Sequence, residues 1–185
     1  MAGAFHDLIQ NWEEKEIPSG SIQRSKFAGK NEEESFALAA KFMDETNEKE
    51  GEIIFTDEDK KETREAIFAT IPGWDREHST VSQDLLGPES SLVARALALA
   101  DLGAAGMDGP AQYIFEGNAL FREENLDILN VMSDPEKRAA LTEEQKESFR
   151  KRMLGWSNFQ PKFADRRKAR FEMEIAGLPE GAKKN

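Results

Sequence analysis

The stretch "SLVARALALADLGAAGM" (residues 91–107) is the most apolar segment of the chain and predicts a buried helix. Leucine and alanine recur in it at helical spacing, Pro88 precedes it and Gly109 follows it. Its small side chains would let neighbouring helices pack closely. The carboxylate of Asp101 is costly to bury there unless it is paired or binds a cation. A helix cap or a salt bridge to an arginine would satisfy it as well as a metal ion.

Helical patterns also dominate the rest of the chain. Beyond residues 91–107, helices are predicted over residues 3–12, 31–50, 56–71, 80–86, 111–131 and 142–176, with a loop over 16–30 and a kink at Pro161. The only strand candidate is "EIIFT" (residues 52–56), which is too short to build a sheet. The sequence therefore predicts an all-α fold.

Several residues mark where these helices start and stop. Asn31 is the predicted N-cap of the second helix and Gly51 its end. The predicted capping boxes are Thr56 with Asp59, Ser133 with Glu136, and Thr142 with Gln145.

Composition narrows the class of protein. The 185 residues suffice for one domain with a sizeable core, and the absence of cysteine excludes disulfides and thiolate metal sites. No signal peptide and no apolar run long enough for a membrane span is visible, which predicts a cytoplasmic protein with no membrane partner. The net charge of −11 argues against general nucleic-acid binding, because phosphates would be repelled.

His6 and Asp7 stand side by side in "AFHDLIQ" (residues 4–10), and the chain has two histidines in all. Neighbours on a helix point about 100° apart, yet both can reach one ion that lies against the helix edge. An imidazole nitrogen and a carboxylate oxygen suit a divalent cation such as Mn, Fe, Co, Ni or Zn. By itself, however, such a dipeptide is more often a chance polar pair near the N-terminus than a metal site.

The order of the motifs carries more information than any one of them. "AFHDL", "NEEES", "AIFATIP", "TVSQDLL" and "ALALADLG" follow one another over residues 4–107. This order resembles the HD-domain superfamily of metal-dependent phosphohydrolases. The resemblance implies an orthogonal helical bundle with additional C-terminal helices. It predicts an HD-like core over residues 1–131, a helical extension over 132–178 and a disordered tail over 179–185.

The resemblance also implies roles for individual residues. His6 and Asp7 match the His-Asp pair that binds the metal in the family, and Asp101 matches the distant aspartate ligand. Glu32, in "NEEES", matches an acid that could orient or deprotonate the attacking water. Its alternative role is that of a first-turn acid favoured by the helix dipole. Asp7 and Glu32 are thus the catalytic candidates.

The chain departs from the family pattern at one point. The family has an earlier histidine ligand, whereas this chain begins five residues before His6. The sequence therefore predicts an HD domain without its first segment, with reduced metal affinity and a tendency to self-associate through exposed apolar residues. His78 is expected to be a solvated loop histidine rather than a replacement ligand.

The predicted activity is hydrolysis of a nucleotide or another small phosphoester by a metal-activated water, and the three ligands could also hold Mg²⁺. The alternative is a non-catalytic HD-like module that binds a nucleotide or a partner protein; a helical interaction domain without any ligand site is a third. Four cations could stabilise developing charge, although their spacing selects none of them: Lys30, Arg64, Arg95 and Arg122.

Overall fold

The computed structural model describes residues 1–16, 22–87, 89–103 and 109–175. The helices are α1 (Ala2–Phe5), α2 (Lys30–Glu50), α3 (Asp57–Ala69), α4 (Leu92–Asp101), α5 (Gly109–Glu124), α6 (Leu126–Met132), α7 (Pro135–Ala139) and α8 (Glu143–Ile175). The strands are β1 (Trp12–Glu16), β2 (Ile22–Lys26), β3 (Pro72–Asp75) and β4 (Thr80–Gln83). The described chain is thus mostly helical, but it is not all-α as predicted.

Contacts divide the chain into two compact units. The first contains Met1–Asn11, Phe27–Gly103 and the chain from Arg166 onward. The second contains Trp12–Lys26 and Ala104–Asp165.

This division runs differently from the one predicted by sequence. The prediction groups residues 109–131 with the N-terminal core and starts an extension at 132, whereas residues 109–165 belong to the second unit and the chain from Arg166 belongs to the first. Strand β2 joins them because it contacts α5 and α6, a pairing that linear order does not reveal. The predicted tail, residues 179–185, lies outside the described residues.

The core of the first unit is built largely from alanine. Helix α3 packs against α2 and α4, and α1 contacts α2 and α3. The small residues at these contacts allow the helix backbones to approach closely. The buried core residues are Ala2, Ala39, Ala66, Ile67, Ala69, Ala94 and Ala98. Helix α4 supplies Ala94 and Ala98, so the predicted buried helix is confirmed over Leu92–Asp101, and residues 104–107 of that stretch lie outside the described residues.

Helix α2 begins slightly earlier than predicted. Gly29, with φ of 84°, is the N-cap residue in place of Asn31. The Asn31 side chain has another role: its Oδ1 accepts from the Asn11 N–H at 2.9 Å and its Nδ2 donates to the Asn11 carbonyl at 3.1 Å. Gly51 ends the helix in the left-handed conformation, with φ of 70°, as predicted.

Two antiparallel hairpins replace predicted loop and helix. Strand β1 pairs with β2 where a helix end and a loop were expected, and β3 pairs with β4 where a helix over 80–86 was expected. The first helix stops at Phe5 rather than Trp12, because the backbone turns there and the Ile9 N–H donates to Ser35 Oγ at 3.1 Å. The predicted helix over 80–86 was therefore wrong, as were the continuation of the first helix to Trp12 and the loop at Ile22–Lys26. Residues 17–21 of the predicted loop lie outside the described residues.

In the second unit, the predicted helix over 111–131 is broken at Asn125. The Asn125 side chain donates through Nδ2 to the Phe121 carbonyl at 2.7 Å and accepts through Oδ1 from Arg152 Nε at 2.9 Å. Arg152 also pairs with Asp127 at 2.6 Å, so one guanidinium ties α8 to α6. Helix α8 continues through Pro161.

Of the three predicted capping boxes, two are confirmed and one is wrong. Thr56 and Asp59 form the predicted capping box of α3, and Thr142 and Gln145 exchange the predicted bonds at the start of α8. Helix α7 is capped by Asp134, one residue after the predicted Ser133. Among the described residues, no helix has the length and apolar character needed to cross a membrane.

Candidate metal centre

The three residues predicted as metal ligands lie together in the first unit. His6 and Asp7 directly follow α1, and Asp101 is the last residue of α4. One ligand atom from each side chain lies within 4.8 Å of the other two. The fold therefore brings together side chains that are 94 positions apart in the sequence.

The spacing of these atoms suits a shared ion. His6 Nε2 is 3.4 Å from Asp101 Oδ1 and 4.0 Å from Asp7 Oδ2. With metal–ligand distances of about 2.0–2.2 Å, two donors on one ion lie about 3.0 Å apart at a right angle and about 4.3 Å apart when opposite. Both measured separations fall in that range, so small side-chain adjustments would close the cluster on a cation.

The His6 ring faces acceptors on both sides. Its Nδ1 is 3.1 Å from the Gly3 carbonyl oxygen, and its Nε2 faces the Asp101 carboxylate. A neutral imidazole carries one N–H, which can satisfy only one of these acceptors. The ring is satisfied either as an imidazolium or with a cation between Nε2 and the carboxylate.

The electrostatics agree with this geometry. The hydrogen bond with Asp101 raises the pKa of His6 against the opposing effect of partial burial, and the Asp7 charge raises it further. With the imidazole neutral, the two carboxylates give the cluster a formal charge of −2, which a divalent cation would balance.

The cluster is open on one side. The side chain of Asp7 is 53% exposed, compared with 20% for His6 and 23% for Asp101. Three protein donors with an open side are typical of catalytic rather than structural metal sites, since water or substrate can take the remaining positions.

Glu32 is placed differently. It lies in the first turn of α2, 8% exposed, and its Oε2 accepts from the Gly29 N–H at 2.6 Å. It is outside the three-residue cluster. The dipole-favoured position at the helix start is therefore observed, and a role in activating water stays a prediction.

The remaining histidine and the four candidate cations lie elsewhere, and most of them have partners of their own. His78 Nδ1 lies 2.8 Å from Asp75 Oδ2 and is outside the cluster. Lys30 lies 3.8 Å from Glu34, and the Arg64 guanidinium stacks 4.3 Å from the Phe68 ring centre. Arg95 is buried and donates to the carbonyls of Ser90 and Gly87, and Arg122 lies on α5 of the second unit.

Gln83 is a neighbour of the cluster that the sequence did not reveal. Its Nε2 donates to Asp101 Oδ2 at 3.3 Å, and the residue is only 3% exposed. Its segment, "TVSQDLL", belonged to the motif order, but a single glutamine in a predicted helix gave no sign of this contact.

No protein-family model, curated protein or solved structure matches the chain. The relationship to HD domains thus stays a prediction from the order of the motifs.

Proposed function

We propose that the protein is a metal-dependent phosphohydrolase that acts on a nucleotide or another small phosphoester. The observation that carries the proposal is the convergence of His6, Asp7 and Asp101 within 4.8 Å. Support also comes from the His6 ring, because both of its nitrogens face acceptor oxygens and a cation at Nε2 would satisfy the second of them. The reaction class comes from the resemblance to HD phosphohydrolases.

Two of the three proposed ligands are held in a fixed orientation. Asp101 is fixed at the end of α4, and His6 is oriented by the Gly3 carbonyl, so both present a defined atom to the cluster. A divalent cation bound there would polarise a phosphoryl oxygen and lower the pKa of a water. Waters or substrate oxygens would fill the positions left by the open side.

Hydrolysis would then proceed by in-line displacement at phosphorus. The water oxygen forms a bond to phosphorus, and the bond from phosphorus to the leaving oxygen breaks. We assign the removal of the water proton to Asp7, whose side chain is more exposed than that of Asp101, and the leaving oxygen takes up a proton in turn. Glu32 binds the Gly29 N–H through Oε2, so a share in this role would fall to its other oxygen.

The test is release of inorganic phosphate from p-nitrophenyl phosphate and nucleoside monophosphates, after chelator treatment and with added Mn²⁺. We expect metal-dependent release that is lost in Asp7→Ala and Asp101→Ala. His78→Ala, outside the cluster, and Asp57→Ala, at a fully exposed side chain, are the matched controls and should retain activity. Activity equal to that of the wild type in both Asp7→Ala and Asp101→Ala would contradict the proposal.

A non-catalytic binding module is the second candidate. It is favoured by the direct contact between His6 and Asp101, since an imidazolium–carboxylate pair satisfies both groups without an ion. Absence of Mn²⁺ binding together with absence of hydrolysis would favour this candidate.

A further inference from the structure

We propose that Gln83 is the positioning residue of the site, holding the Asp101 carboxylate in the orientation that presents Oδ1 to the metal. The inference rests on the proposed metal site, but the hydrogen bond on which it depends can be tested without metal. It adds to the site a residue from β4.

The contacts of Asp101 assign one partner to each oxygen. Oδ1 faces His6 Nε2 at 3.4 Å, and Oδ2 accepts from Gln83 Nε2 at 3.3 Å. An ion that binds at Oδ1 would replace the contact with His6 but could leave the contact with Gln83 intact. Asp101 would then bind through one oxygen, with its rotation fixed by the other.

The amide of Gln83 has only one suitable orientation. A carboxylate can only accept, so the NH₂ group must face Asp101, and turning the amide over would set its oxygen against that carboxylate. The residue is 3% exposed, so this donor has little access to competing water. The charge on the acceptor strengthens this contact, although its 3.3 Å separation is slightly longer than the usual range for such bonds.

The other end of the amide carries a cost that the hydrogen bond must offset. Gln83 Oε1 is buried and has no hydrogen-bond partner in the described part of the chain. An unpaired buried polar atom destabilises the folded state. A glutamine at this position is thus poorly explained by packing alone and is better explained by its donor group.

The backbone around Gln83 is held on both sides. It lies opposite Pro72 in the β3–β4 pairing, and its carbonyl accepts from the Leu86 N–H at 3.0 Å. The neighbouring Ser82 is 1% exposed. Because the backbone is fixed, the side chain reaches Asp101 from a constant direction.

The discriminating variant is Gln83→Met, which keeps the length of the side chain but removes both the donor and the unpaired oxygen. We expect the Kd for Mn²⁺, measured by electron paramagnetic resonance, to rise about 10- to 100-fold, while the melting temperature of the metal-free protein stays near that of the wild type. Gln83→Leu is the second variant, in case the first does not fold. Gln112→Met, at an exposed glutamine bonded to Glu116, is the control.

A metal-free readout separates this inference from the proposed function. In metal-free protein, the side-chain amide resonance of Gln83 should shift in Asp101→Ala and stay in place in Asp57→Ala. If the wild type binds no Mn²⁺, the proposed function fails, and this resonance alone decides whether Gln83 positions Asp101. Unchanged Mn²⁺ affinity in Gln83→Met, or an unmoved resonance in Asp101→Ala, would overturn the inference.

Discussion

The contacts of the His6 ring define the central question about the candidate site. From the sequence, an imidazole next to a carboxylate was an ambiguous pair. In the structure, one ring nitrogen faces the Gly3 carbonyl and the other faces the Asp101 carboxylate, and both of these groups are hydrogen-bond acceptors. The question at this residue is therefore which positive species, proton or metal ion, lies at Nε2.

Glu32 allows its two roles to be separated by substitution. Glu32→Gln keeps an oxygen that can accept from Gly29, whereas Glu32→Ala removes it. We expect Glu32→Ala to lower the free energy of unfolding by about 1 kcal/mol, measured by urea denaturation, and Glu32→Gln to change it less. Equal destabilisation by both variants would contradict the capping role.

The activity of Glu32→Gln tests the catalytic role implied by the resemblance. A general base contributes about 10²-fold or more to the rate. A loss of that size in kcat at unchanged stability would show that Glu32 acts as the general base. An unchanged kcat would favour Asp7 in this role.

At the scale of elements, the β3–β4 hairpin is held by the end of α8 within the first unit. Arg166 donates to the Ser79 carbonyl at 2.9 Å, Arg167 donates to the Val81 carbonyl at 3.1 Å, and Arg170 pairs with Asp75. Ser79 has a φ of 50°, in the left-handed region, at the turn that these contacts stabilise. The hairpin that carries Gln83 thus depends on three arginines of one helix.

Arg167 is the most buried of these arginines. Its side chain is 4% exposed and pairs with Glu174 at 2.9 Å. We expect Arg167→Ala to lower the free energy of unfolding by about 2–3 kcal/mol, because it leaves the Val81 carbonyl and part of the Glu174 carboxylate unpaired. Arg150→Ala, at a side chain 71% exposed, should change it little. Chemical denaturation followed by circular dichroism measures both, and equal losses would contradict this role.

The capping box of α3 should make that helix sensitive to acid. The hydrogen bond with Thr56 holds the pKa of Asp59 below its usual value. The resulting stabilisation is present above the ordinary aspartate pKa of about 3.9 and is lost as the pH falls through the lowered pKa of the folded state. We expect amide exchange at the start of α3 to accelerate in that acid window. Thr56→Ala should weaken this dependence, and an unchanged profile in the variant would contradict the assignment.

The elements also show what local sequence could predict. Caps and glycine stops act within a few residues, so the Thr56 box and the Gly51 end could be read directly. The hairpins could not, because their pairing depends on contacts between separate segments. In β4, Thr80, Ser82 and Gln83 are buried although they are polar, so hydrophobic periodicity gave no strand signal.

The same limit applies to the candidate site. The meeting of Asp101 with His6 and Asp7 was anticipated through the motif order and not through any periodicity. Gln83 was missed, since its role depends on how the hairpin lies against α4. Apolar character alone does not decide burial in α2 either: Ala39 and Met43 are buried, whereas Phe42 is 46% exposed.

For the whole molecule, metal binding should appear as added stability. A ligand that binds only the folded state stabilises it by about 2.7 kcal/mol at a concentration 100 times its Kd. We therefore expect Mn²⁺ to raise the melting temperature of the wild type in calorimetry and to leave that of Asp101→Ala nearly unchanged. Equal shifts in both proteins would indicate binding elsewhere on this acidic chain, whose net charge is −11.

The central claim is that His6, Asp7 and Asp101 form one metal site, and its most direct test is a count of bound ions. The purified chain would be stripped with chelator, dialysed against Mn²⁺ and analysed for metal by mass spectrometry. We predict one bound ion per chain in the wild type and in His78→Ala, and none in Asp101→Ala. No retained ion in the wild type, or an equal content in Asp101→Ala, would contradict the account.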